Sequence, residues 1–142
     1  MKLAFLFTAL PLLTSTTAIP AVTIKAPPAV RTVCELKKLA ARQSHGGEVV
    51  SITASAFYNF EAGYFLQDLT CEDPIDGTGL IRIVLPHGYR DEDFPELLKL
   101  SSQTWLSEMA GKRVRCNCIG TAYFEHGNVT FTLKVAKVWA SN

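Results

Sequence analysis

The chain has 142 residues, of which 48% are hydrophobic, and its 14 basic side chains nearly balance 13 acidic ones. This length is enough for one domain with a real core, but too short for two ordinary domains. The near-neutral charge lacks the excess that drives non-specific binding to nucleic acid or anionic lipid, so we expect neither as a partner.

The N-terminus has the pattern of a secretory signal peptide. Lys2 precedes an apolar stretch from Leu3 to Leu13, and small residues end the segment at Ala18. The apolar stretch is about half of the roughly 20 residues that a membrane-spanning helix needs. We therefore predict a cleaved signal peptide over residues 1–18, an extended lead-in over 19–28 and one domain over 29–142. The domain is expected to be secreted, and so to be extracellular, or periplasmic in a bacterium.

All four cysteines, Cys34, Cys71, Cys116 and Cys118, lie in the predicted mature chain. An even count in an exported protein favours disulfides, and four cysteines allow three full pairings. Cys116 and Cys118 are two apart in a predicted strand, which places their Cα atoms about 6.5–7 Å apart, at the limit for a disulfide. We therefore expect a Cys34–Cys71 disulfide, and crossed pairings with the strand of Cys116 stay open.

Hydrophobic periodicity predicts the order helix, three strands, helix, two strands. A capping-box spacing opens the helices at Thr32 and Asp93, and glycines end them at Gly46 and Gly111. The predicted strands cover 48–57, 64–69, 80–85, 112–124 and 129–139.

Alternation within the first and last strands predicts the side chains that face the core. They are Val50, Ile52, Ala54 and Ala56 in the first strand, and Val129, Phe131, Leu133 and Val135 in the last. Five strands with a helix between the third and fourth are the arrangement of the OB-fold, a small partly open Greek-key barrel. We therefore predict a mostly β protein, a five-stranded OB-fold-like Greek-key barrel with an N-terminal helix and a helix between its third and fourth strands.

Three motifs mark the first half of the predicted domain. They are the helix start Val33-Cys34-Glu35-Leu36, the pair Gly46-Gly47, and the run from Gly63 to Cys71 with the pattern G-x-F-L-x-D-x-x-C. They resemble motifs of small, secreted, functionally uncharacterised OB-fold-like proteins. The resemblance covers 33–85, about half of the predicted mature chain, and the chain departs from that pattern at Cys116-x-Cys118. It implies the barrel fold and brings no activity with it.

Aromatic side chains crowd two predicted turns. Tyr58, Phe60 and Tyr64 surround the connection between the first two strands, and Tyr123 and His126 approach the turn between the last two. In OB-folds these turns border the usual ligand groove, where exposed rings stack on bases or sugars. The alternative is that some of these rings only close the barrel. These five side chains are the candidate ligand-binding site.

Other ionisable side chains favour no metal or catalytic site. Cys116, Cys118 and His126 match no standard zinc spacing. The carboxylates within 68–76 lack an EF-hand pattern, and those at 91–93 suit the start of a helix.

The sequence contains no serine-hydrolase, zinc-protease or phosphate-loop motif, so we expect no enzyme, no metal and no cofactor. Asn128-Val129-Thr130 is a glycosylation sequon, which matters only in a eukaryotic host.

These observations favour a secreted, non-catalytic and monomeric binding module for an unknown protein or polymer ligand. One alternative is a netrin-like inhibitor of an extracellular enzyme, although such inhibitors present a cysteine at the mature N-terminus and about 15 residues precede Cys34. The second alternative is a phosphodiesterase or nuclease, for which no arginine-plus-carboxylate constellation is evident.

Overall fold

The computed structural model describes residues 25–71 and 79–142 of the chain. The predicted signal peptide, the start of the lead-in and the acidic residues of 72–76 lie outside the described residues. Residues 25–28 form neither helix nor strand, and the first strand begins at Ala29. Within the described ranges, no helix is long and apolar enough to span a membrane.

Strands dominate the described residues, and short helices connect some of them. The strands are β1 (Ala29–Arg31), β2 (His45–Asn59), β3 (Gly63–Gln67), β4 (Leu80–Val84), β5 (Arg113–Glu125) and β6 (Asn128–Ser141). The helices are α1 (Val33–Arg42), α2 (Pro95–Leu98) and α3 (Gln103–Glu108), with 3-10 turns at Asp91–Asp93 and Lys99–Ser101. Strand β1, which the sequence did not predict, pairs in parallel with the edge of β2.

Five of the strands close into a β-barrel. The hydrogen-bonded order is β2-β3-β4-β6-β5, and β5 pairs back onto β2. Strands β4 and β6 are parallel, whereas the other pairs in the barrel are antiparallel. Parallel neighbours need a crossover connection, which the helical segment and β5 provide. The barrel fits an OB-fold-like description and confirms the predicted fold class.

Strand β2 makes the closure possible because it pairs with two partners in succession. It is 15 residues long, and pairs with β5 through 45–55 and with β3 through 55–59. Ser55 lies at the changeover, opposite both Gln67 and Arg115. The predicted inward residues of this strand are buried: Val50, Ile52, Ala54 and Ala56.

Helix α1 begins as predicted but ends earlier. Thr32 Oγ1 accepts a hydrogen bond from Glu35 N (3.1 Å), and Glu35 Oε2 accepts one from Thr32 N (2.7 Å), which confirms the capping box. The helix ends at Arg42, and Gly47 belongs to β2 rather than to a helix end. A Cβ on Gly47 would stand 3.3 Å from the Tyr123 ring, so this glycine makes room for an aromatic neighbour in the sheet.

The helix predicted from Asp93 to Gly111 is wrong, because the segment breaks into short pieces. Ser102 is extended, with ψ 106°, and its Oγ accepts a hydrogen bond from Trp105 N, so a new helix begins there. Serine competes in this way with the continuous helical ladder. The core-facing side chains of the segment are Phe94, Leu97 and Leu100.

A β-bulge in the β5–β6 pair changes which residues of β6 face the core. Gly120 pairs with Leu133 and Ile119 with Val135, which leaves Lys134 as the extra residue. An extra residue shifts the alternation by one position. The prediction that Val135 points inward is therefore wrong, and its side chain is 51% exposed.

A disulfide joins Cys116 to Cys118 inside the barrel, where both residues are fully buried. This corrects the sequence argument against that pairing. Their Cα atoms lie 5.8 Å apart, within the range for a disulfide, because the strand between them is less extended than an ideal strand. Cys34 and Cys71 keep free thiols, so the Cys34–Cys71 disulfide expected from the sequence is not formed in this structure.

Candidate functional site

The aromatic turn between β2 and β3 divides into buried and exposed rings. Tyr64 is only 5% exposed, and its hydroxyl donates to Asp91 Oδ2 (3.1 Å). Burial is the main cause that raises the pKa of Tyr64 to about 12. Tyr58 is half-buried against it, with ring centroids 4.9 Å apart. The prediction that Tyr64 faces a ligand is therefore wrong, since alternation in β3 turns it into the barrel.

Three of the five candidate side chains are exposed. Phe60 projects from the turn with 91% of its surface exposed, and Tyr123 is 49% exposed on β5. His126 is exposed in the β5–β6 turn, where its ring contacts that of His45 edge to face at 4.9 Å. His45 and Asn59 are the two ends of β2. The structure therefore places the two turns at opposite ends of that strand.

A row of outward-facing residues crosses the barrel between the two turns. Phe57 pairs with Phe65, Phe65 with Arg82, Arg82 with Thr130, and Thr130 with Tyr123. Directly paired residues point to the same face of a sheet, and the neighbours of each along its strand turn toward the core. Four strand-to-strand steps of about 4.8 Å make this outer row about 19 Å long.

The two phenylalanines of the outer row are in direct contact. The rings of Phe57 and Phe65 stack with centroids 5.4 Å apart and an interplanar angle of 15°. Both side chains are half-buried, so one edge of the stack is open to solvent. Neither phenylalanine is among the five candidates predicted from the sequence, although strict alternation around Leu66 places Phe65 outside.

The other end of the outer row borders a small polar cavity of about 230 Å³. Tyr123, Glu125, His126, Asn128 and Thr130 line it. It offers two rings, one carboxylate, and the neutral hydrogen-bonding groups of an asparagine and a threonine. This composition suits a small polar group better than a large apolar one.

The Cys34 thiol lies beside Cys71 and Asp68, and these surroundings disfavour its thiolate form. Burial, followed by the hydrogen bond with Cys71, raises the pKa of Cys34 to about 12. The thiol also donates to Asp68 Oδ2 at 3.7 Å. Since the thiolate is the reactive form, the raised pKa makes this thiol slow to react at neutral pH.

The structure does not assemble the metal site considered for Cys116, Cys118 and His126. The two cysteines are bonded to each other in the core, whereas the histidine lies in an exposed turn. Among the described residues, no group of three or more His, Cys, Asp or Glu side chains is placed to hold a metal ion.

No protein-family model matches the chain, and no curated protein or solved structure is significantly similar to it. The resemblance to small secreted OB-fold-like proteins therefore stays a prediction. The case for function rests on the geometry of the barrel surface.

Proposed function

We propose that the protein is a secreted, non-catalytic binding module of the OB-fold type that holds an extended polymer across the outer row. The observation that supports this most is the continuous register from Phe57 to Tyr123, which sets aromatic rings at both ends of one line. Cleavage of the predicted signal peptide would release the domain for this role.

The chemistry of the outer row suits a ligand with repeated flat faces. Aromatic side chains stack on such faces, and each stacked unit contributes about 1–3 kcal/mol. Arg82 and Thr130 add one charge and one hydroxyl between the rings. A single cation gives little attraction for a phosphodiester backbone, which favours an uncharged chain such as a neutral polysaccharide.

Isothermal titration with neutral hexasaccharides of the cellulose, chitin and xylan types tests the proposal. We expect at least one of them to bind, and Phe65→Ala and Tyr123→Ala each to weaken that binding about tenfold. Tyr89→Ala is the matched control, because Tyr89 is 56% exposed but lies outside the outer row. Unchanged affinity in both row variants, or no binding by any of the three probes, would reject the proposal.

A further inference from the structure

A second, larger cavity opens where β2 leaves β5 and begins to pair with β3. Its volume is about 500 Å³, within the range of roughly 300–1,000 Å³ that small-molecule sites occupy. We call it the arginine cavity, because Arg113 and Arg115 of β5 line it together with Asp68. Among the residues that the structure describes, these three are the only charged ones in its lining.

Within the described ranges, no side chain pairs with either guanidinium group of the arginine cavity. Arg113 and Arg115 lie two apart on β5 and therefore point to the same face. Neither forms an ion pair or hydrogen bond within the part of the chain that the structure describes. Arginine presents a planar fork of donors that fits a carboxylate with two parallel hydrogen bonds. The pair therefore selects an anionic group.

Asp68 limits how much negative charge the arginine cavity accepts. Its carboxylate already accepts hydrogen bonds from Thr70 N (3.0 Å) and Thr70 Oγ1 (2.7 Å), and these bonds are the main cause that lowers its pKa. It therefore stays ionised, so among the described lining residues two positive charges face one negative charge. One bound carboxylate would neutralise the net charge of +1 that Asp68, Arg113 and Arg115 leave in this part of the lining.

The remaining polar lining of the arginine cavity is neutral. Thr53, Ser55, Gln67 and Thr70 supply hydroxyl and amide groups that donate and accept hydrogen bonds. Such a set suits a ligand with many hydroxyls. Phe57 also lines the cavity, and its ring stacks on that of Phe65. An aromatic ring beside hydroxyls and a cation fits the apolar face, the hydroxyls and the carboxylate of an acidic sugar.

We propose that the arginine cavity binds a uronic acid residue of an acidic polysaccharide, with the carboxylate on Arg113 and Arg115 and the sugar ring against Phe57. This site is separate from the outer row, apart from Phe57, which borders both. The inference therefore does not depend on the proposed binding of a neutral polymer across that row.

Titration of the full mature chain with oligogalacturonate tests this proposal, with the fully methyl-esterified oligomer as the neutral probe. We expect the acid to bind at least tenfold more tightly than its ester, and Arg115→Gln and Arg113→Gln each to remove about tenfold of the affinity. Arg42→Gln is the matched control, since Arg42 lies in the last turn of α1, whose first residue borders the cavity. Thermal unfolding of each variant reports whether the fold is intact.

Equal affinity for acid and ester, or unchanged affinity in both cavity variants, would overturn the proposal. So would tighter binding of a single-stranded oligothymidylate than of oligogalacturonate. Absence of binding at millimolar acid would also overturn it. Tyr123→Ala separates the two sites, because it should weaken binding of a neutral hexasaccharide and leave oligogalacturonate affinity unchanged. If only the neutral hexasaccharide fails to bind, the proposal for the outer row has failed. If only oligogalacturonate fails to bind, the proposal for the arginine cavity has failed.

Discussion

Oxidation of Cys34 and Cys71 to a disulfide should stabilise the protein more than the disulfide already present in the barrel does. The two thiols are hydrogen-bonded to each other, and a bridge between them would enclose 36 intervening residues. The Cys116–Cys118 bridge has a sequence separation of only 2. The loop-entropy relation gives about 4 kcal/mol for the long loop and about 1.6 kcal/mol for the short one.

The assay compares urea unfolding of the protein before and after mild oxidation in a glutathione buffer. Intact mass and peptide mapping identify the bridges, and we expect oxidation to raise the free energy of unfolding by about 4 kcal/mol. The double variant Cys34→Ser, Cys71→Ser is the control and should show no such gain. An unchanged urea midpoint after a mapped Cys34–Cys71 bridge has formed would refute the loop argument, and crossed bridges to Cys116 or Cys118 would refute the arrangement of the thiols.

Further predictions concern the bulge, the aromatic turn and the helical segment. Gly120→Ala should cost about 2–3 kcal/mol in urea unfolding, because its Cβ would stand 2.8 Å from a ring atom of Phe131 and even closer to the Thr132 carbonyl; an unchanged midpoint would contradict this. Tyr58→Ala should cost about 2 kcal/mol because its ring packs on the core, whereas Phe60→Ala should stay within about 0.5 kcal/mol. Equal effects in these two variants would mean that the turn is packed differently. Glu96 accepts hydrogen bonds from Lys99 and from the Val138 backbone, and these bonds lower its pKa. Its contribution to the free energy of unfolding is therefore fully present above its pKa in the unfolded chain, near 4.5, and is lost as the pH falls through the lower pKa of the folded state. Glu96→Gln should cost about 1 kcal/mol at neutral pH and flatten the loss of stability in acid; an acid profile identical to the wild type would argue against this role.

Much of the barrel was predictable from the sequence because its strands alternate strictly. The inward positions of β2 follow from period-two alternation alone, and the Thr32 capping box marks the start of α1. Alternation fails where a long-range contact overrides it. The bulge at Gly120 depends on a neighbouring strand, so nothing in the local pattern of β6 predicts that Val135 is exposed.

The candidate site was predictable only in part, because exposure depends on pairing partners that are distant in sequence. Phe60 and Tyr123 are exposed as the site hypothesis requires, whereas Tyr64 is buried. The Phe57–Phe65 stack depends on the pairing register of β2 and β3. The sequence suggests a hairpin there but does not determine which residues pair across it. The arginine cavity was missed altogether, since Asp68 and Arg115 meet only when β2 changes partners.

The most direct test of the central claim is to map, by nuclear magnetic resonance, where a bound neutral hexasaccharide perturbs the backbone amides of the labelled protein. We expect the largest chemical-shift changes to follow the outer row across the strands, at Phe57, Phe65, Arg82, Thr130 and Tyr123. Shifts confined to β1 and α1, on elements outside the outer row, would contradict it.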